Sequence, residues 1–523
     1  MLYVRMLFGM LVSLYTSRIV LQALGVEDYG IYNVVGGFVS MFSMVSSSLS
    51  SAVSRFLTFE LGRSDMEQLK KVFSTSLCIH LVLAAIILLL AESIGVWFLN
   101  THMTIPAERI YAANWVFQAS LVAFMFGLFS VPYHASIVAH ERMTAFAYIG
   151  ILDIILRLCI VLFIAYAPFR FDRLIVYSLL LVAVGISMQA IYWNYCRRHF
   201  EECCFRLNFY KDCWKAMSSF AGWNFIGCTA GLLKDQGVNV LLNLFIGPIV
   251  NAARGIANTV NNVLFSFAGN FMTALKPQIT KSYAAGNYDY MFSLVERGSR
   301  YSYYILLLFT LPMLFETEFI LTLWLKDYPE HTVNFVRLAL LITMCDILSN
   351  TLINLQLATG KIRNYQLAVG GTLMMNFPLS YICLKMNFPP ESVLFVALVV
   401  AVCCLLLRLL FLRKMVGLSM RRYLYNVCGN VVVVTVVALL VPAVVYMQMP
   451  NNVARFFTIC LLSVICTMVS IYLIGCTAHE RSFIREKAIS VHTKLYKKID
   501  INLKSATPFP KCYLHKEKWT FDS

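Results

Sequence analysis

Charge is scarce in this sequence, and acidic charge is scarcest. Asp, Glu, Lys and Arg make up 13% of its 523 residues, about half the share of an average soluble domain. No Walker loop, strand-linked GxGxxG, HExxH or GxSxG occurs, which argues against an intrinsic ATPase and the common hydrolase designs. The 16 cysteines form no CxxC pair and no zinc spacing. Most fall inside apolar runs, as Cys78, Cys159, Cys228, Cys345, Cys403 and Cys404 do, where they read as small packing residues. His134 and His140 are six apart, not the four of a helical metal pair. No metal and no cofactor is expected.

What is present is apolar length. Hydrophobic residues make up 59% and mean hydropathy is +0.71. A helix of about 20 apolar residues spans a bilayer and satisfies its own backbone there. Fourteen such stretches are expected, at 2–24, 31–54, 74–99, 110–133, 146–168, 173–195, 218–246, 248–272, 298–320, 332–357, 365–386, 391–412, 423–446 and 454–475. The fold class is therefore an all-α integral membrane protein. The first stretch is interrupted by Arg18 and has no small-residue cleavage site, so it reads as a retained helix and not a signal peptide.

Placing both termini in the cytoplasm puts 29 Lys and Arg on that side against six in the outer loops, which is the expected bias. Basic loops facing anionic lipid account for the net charge of +16 without nucleic acid. The tail at 476–523 repeats Ile484, Ala488, Val491, Leu495 and Ile499 among lysines and arginines, the pattern of a basic amphipathic helix lying on the inner leaflet.

The chain also repeats itself. "LGVEDYGIYN" at 24–33 and "RFLTFELGRSD" at 55–65 are echoed by "IGPIVNAARG" at 246–255 and "PQITKSYAAGNYD" at 277–289. Gly25 falls on Gly247, Thr58 on Thr280, Gly62 on Gly286 and Asp65 on Asp289. Internal symmetry of this kind builds many secondary transporters, with a solute site at the repeat interface. The expected layout is a lobe at 1–217, a second at 218–422, two further helices at 423–475 and the tail.

"LGVEDYGIYNVV", "GLLKDQGVNVLLNLFIGPIVNAARGIA" at 231–257 and "LKPQITKSYAAGNYD" resemble the polysaccharide (O-antigen or capsule type) flippases of the multidrug/oligosaccharidyl-lipid/polysaccharide exporter superfamily. The resemblance extends to "GCTAHERSFI" at the head of the tail. It implies two pseudo-symmetric six-helix lobes around a central cavity plus two C-terminal helices. It also implies a substrate: an undecaprenyl-diphosphate-linked oligosaccharide moved outward across a bacterial inner membrane, in company with polysaccharide-assembly proteins. The alternatives are a cation-coupled drug exporter of the same superfamily and a membrane-embedded polymerase or ligase.

Charge inside a membrane helix marks a pathway or a pair. Arg18, Lys234 and Arg254 are the candidates for a cationic lumen that meets a diphosphate, with Arg offering two parallel donors. Asp153 and Arg157 sit four apart and can pair within one helix. Asp346, with Asn350 and Asn354 following on the same face, is the first candidate for coupling to an ion, ahead of Asp153 and Asp235. Arg5, Arg337 and Arg408 lie nearer helix ends and are expected to snorkel.

Overall fold

The computed structural model describes residues 1–40, 42–101, 105–167, 172–203, 210–482 and 485–486. Among these residues there is no strand. Each expected stretch corresponds to a helix: α1 (Leu2–Leu24), a broken α2 (Val26–Ser40 and Ser43–Arg63), α3 (Met66–Thr101), α4 (Ala107–Ala139), α5 (Met143–Tyr166), α6 (Arg173–His199), α7 (Lys211–Phe245), α8 (Pro248–Ala284), α9 (Tyr288–Phe315), α10 (Thr332–Thr359), α11 (Arg363–Lys385), α12 (Ser392–Val416), α13 (Met420–Gln448) and α14 (Val453–Gly475). Residue 218 lies inside α7, which begins at Lys211. The amphipathic run at 484–499 lies outside the described residues, apart from 485–486.

Ten of these helices are long and apolar enough to cross a membrane. An eleventh span combines α9 with the short helix Thr317–Leu325 across an 82° bend. Pro312, four residues before the break at Glu316, weakens the helix just ahead of the bend. The others, α2, α7 and α8, are full-length but polar: α2 carries the serine-rich run 43–54, and α8 carries Asn251, Asn258, Asn261, Asn262 and Asn270. Such helices face lipid poorly, and these three pack at the junction between the first six helices and the next six.

The repeat is geometric as well as textual. Gly25 and Gly247, at the elbows before α2 and α8, have φ of +85° and +117°, a backbone that a Cβ opposes. At the other ends Ser64 and Gly286 both turn left-handed, with φ of 58° and 73°. Asp65 then caps α3 by accepting from the Gln68 N–H, and Asn287 caps α9 by accepting from the Tyr290 N–H. The structural register is therefore one constant offset. Ser64 matches Gly286 and Asp65 matches Asn287, which corrects the expected pairing of Gly62 with Gly286 and Asp65 with Asp289. The text match was drawn to identical letters, whereas the caps need a conformation and an acceptor.

In this register Gly62 matches Ala284, and the two meet. A Cβ on Gly62 would lie 2.8 Å from the Lys281 backbone and 2.9 Å from the Ala284 Cβ. Equivalent positions touch each other only near a two-fold axis. Around this point the halves are sealed at the face that carries the tail. Lys281 Nζ reaches Glu141 Oε1 at 2.8 Å, and Arg55 donates to the Ala358 carbonyl at 3.2 and 3.3 Å. On the opposite, elbow face, Arg109 bridges Asp28 and Asp172 within the first half, and Arg455 of α14 holds Glu316 of the second at 2.9 Å.

Candidate functional site

Beyond the seal the halves part around a cavity of about 1290 Å³. Its floor lies near the tail-face ends of α1, α4, α5 and α6. There Gly150 leaves room for Arg5, since a Cβ on it would stand 2.6 Å from the Arg5 Cδ. The Arg5 guanidinium lies 4.3 Å from the centre of the Phe146 ring, a cation–π arrangement. His134 packs edge-on to Phe146 at 4.7 Å. One to two turns further on, Arg157 Nε lies 3.1 Å from both oxygens of Asp153. The far wall, from α8, α9 and the short helix, is mainly apolar, with Val263, Phe309, Met313 and Trp324.

Among the described residues the charged lining is Arg5 and Arg157 against Asp153, a surplus of one cation, with most of the surrounding wall apolar. Such a surface suits an amphiphilic anion. Apolar groups lie against the wall, and charge-assisted bonds hold the anionic head in a space of low dielectric.

Of the sequence candidates, only Asp153 and Arg157 line this cavity. Arg18 is exposed on α1. Lys234 and Asp346 come together elsewhere, across α7 and α10, with Nζ and Oδ2 4.0 Å apart. Arg254 is buried nearby and donates from Nη2 to the Asp235 carbonyl at 3.3 Å, while its Nε and Nη1 have no partner. The Asp235 side chain is exposed, and Asn350 is half-buried on α10.

Two residues that sequence reasoning set aside as snorkelling behave otherwise. Arg5 faces the cavity, and Arg408 is buried, with its Nε donating to the Tyr365 hydroxyl at 3.1 Å. Distance from a helix end says nothing about a phenol or a glycine gap supplied by another helix. His134 was likewise weighed only as half of a metal pair.

Comparison with proteins of known structure defines the class. The fold matches a MOP superfamily transporter from Pyrococcus furiosus, with a TM-score of 0.67 at 13% identity over 80% of this chain and 94% of that one. It also matches a multidrug resistance MATE family transporter of the MOP superfamily, in an outward-facing conformation, with a TM-score of 0.65 at 13% identity and coverage of 80% and 94%. The MATE multidrug transporter DinF-BH matches with a TM-score of 0.61 at 18% identity, covering 80% and 96%. The chain shares the fold of MOP superfamily transporters.

The chain belongs to the polysaccharide biosynthesis protein family, whose model matches residues 1–318. A relative, the uncharacterized membrane protein EpsK of Bacillus subtilis (strain 168), is 20% identical over 299 residues, covering 56% of this chain and 58% of its own length. The chain thus spans less than two thirds of that relative.

Proposed function

We propose that this protein is a flippase that carries an undecaprenyl-diphosphate-linked oligosaccharide from the inner to the outer leaflet of a bacterial inner membrane. The carrying observation is the cavity, with Arg5 and Arg157 exceeding Asp153 in a mostly apolar enclosure. At about 1290 Å³ it exceeds the several hundred Å³ of most small-ligand pockets, and a glycosylated diphosphate needs that room. Arg157 neutralises Asp153, which disfavours the drug-exporter reading, since a cationic drug wants a free carboxylate. Membership in the polysaccharide biosynthesis protein family supports this reading, with polysaccharide-assembly proteins as the expected partners.

Transport proceeds by alternating access. The halves rock against each other, and the substrate enters when the seal formed by the Gly62–Ala284 contact and the Lys281–Glu141 pair opens. Both termini lie in the cytoplasm. The Lys234–Asp346 pair is the proposed ion-sensitive element, because its 4.0 Å separation leaves room for exchange of Lys234 for a proton or Na⁺. Arg18 and Arg254 are secondary candidates for contact with the substrate along its path.

Deleting the gene in its host is the direct test. A surface polysaccharide should be lost while its lipid-linked precursor accumulates on the inner leaflet. Loss of polymer length with normal export of single units would point to the polymerase reading instead.

A further inference from the structure

A second pocket, of about 550 Å³, opens at the tail face between α9, α13 and the end of α14. It shares no lining residue with the central cavity. Helical spacing makes its walls. Ser293, Glu296, Arg297 and Arg300 recur along one face of α9, and Arg422, Tyr425, Asn426, Gly429 and Asn430 along one face of α13. Each of α13 and α14 widens beside it into a π-helical turn with i→i+5 hydrogen bonds, at Leu424–Gly429 and Ile471–Gly475, a distortion that recurs at functional sites.

The guanidiniums are held but not used up. Arg300 is 7% exposed and donates to the Gly475 carbonyl at 3.0 Å and to Glu480 Oε1 at 3.1 Å, leaving its Nε buried with no partner among the described residues. Arg422 meets Glu296 at 2.8 Å and Arg297 meets Glu480 at 3.4 Å, yet both side chains stay about half exposed, at 55% and 47%. An arginine carries five N–H donors, so each retains some for a ligand. Three cations stand against two carboxylates, which leaves one positive charge, the complement of a phosphodiester.

We propose that this pocket binds the phosphate group of an anionic phospholipid of the tail-side leaflet. Free phosphate has the same chemistry, but the pocket's surroundings select the lipid. Val433 lines the pocket and is itself 49% exposed; with Val432 at 59% and Val436 at 52% it leads into an apolar face on α13. An acyl chain would lie there while the headgroup meets the arginines. Basic pockets between membrane helices hold anionic headgroups in this way. The assignment needs only that the chain spans a bilayer, so it stands or falls apart from the identity of the transported solute.

The test uses full-length protein in a neutral detergent, titrated with dioleoylphosphatidylglycerol, dioleoylphosphatidylcholine or inorganic phosphate, with bound lipid counted by native mass spectrometry. The wild type should retain phosphatidylglycerol in preference to phosphatidylcholine. Arg297→Ala with Arg422→Ala should weaken that binding about tenfold or more. Arg422→Lys should retain part of it. Arg413→Ala with Lys414→Ala removes the same charge from the same face outside the pocket and should leave binding intact. Undiminished binding in the pocket variant, or equal loss in the control variant, overturns the site. Displacement of the lipid by inorganic phosphate at comparable concentration overturns the lipid as its occupant.

Discussion

Arg5 and Arg157 reach one cavity from α1 and α5, and each has a local partner that orients it: the Phe146 ring for Arg5 and Asp153 for Arg157. A charged hydrogen bond to a phosphate is worth about 1.5–3 kcal/mol. Arg157→Ala should therefore slow flipping of a diphosphate-linked substrate in vesicles by about ten- to a hundred-fold at equal protein content, and Arg157→Lys should slow it less. Full activity of well-inserted Arg5→Ala and Arg157→Ala variants would remove both from the substrate path. Asp346 poses a different question, because Lys234 already stands 4.0 Å away. An ion biases one state only through unequal affinity for the two. Asp346→Asn should leave a transporter whose rate no longer responds to an imposed proton or Na⁺ gradient, while the parent responds. An equal response in both would make the pair structural.

Two helix-end devices hold the elements in place. Gly62 lets α2 approach α8 at the seal, where any Cβ would stand 2.8 Å from the Lys281 backbone. Gly62→Val should disfavour the sealed state by about 1–3 kcal/mol, the usual penalty of overpacking. Hydrogen exchange at 55–63 and 278–284 should then rise, with the helices on the elbow side unchanged. The second device is Thr477-Ala-His-Glu480, a capping box in which the Thr477 N–H donates to Glu480 Oε2 at 2.7 Å and the Glu480 N–H to Thr477 Oγ1 at 3.4 Å. Glu480 also binds Arg300 and Arg297, tying the head of the tail to α9. Burial alone would raise its carboxyl, but the Thr477 N–H, Arg300 and the Tyr301 hydroxyl outweigh burial and hold it below its ordinary value of 4.5. A depressed carboxyl stabilises the fold above the unfolded-chain value, and that contribution fades as pH falls through the folded one. Glu480→Gln should lower the melting temperature at neutral pH, and the gap from the wild type should shrink as pH falls below the ordinary carboxyl value of 4.5. A gap that is constant with pH would mean that the Glu480 charge contributes nothing to docking.

At the scale of the whole molecule, the ends of α9, α13 and α14 share one face with the seal, and the proposed orientation puts that face in the cytoplasm. Reporter fusions after Ile105 should read outside and fusions after Leu207 inside. A tail accessible only from outside would invert the orientation and, with it, the direction of transport. In the sealed state described here, Glu141 and Lys281 join the two halves. On the proposed mechanism this contact breaks when the substrate enters, so the halves would not be held rigidly together there.

The helices themselves were legible in the amino-acid sequence because the need to satisfy backbone groups in lipid is local: an apolar run of sufficient length has one solution. The Asp153–Arg157 pair was legible for the same reason, since both residues lie on one helix and 3.6 residues per turn sets their proximity. Contacts between helices were not. Which face of α7 meets α10, and so whether Lys234 joins Asp346 or the cavity, depends on the rotation and tilt of two helices far apart in the chain. Arg5 became a cavity residue because Gly150, on another helix, leaves a gap for it. The repeat was visible as text, but its register was decided by left-handed turns at Ser64 and Gly286, a backbone property that two different residues satisfy. Sequence alone determined the spans and the local pairs, whereas tertiary packing decided which charges share a space.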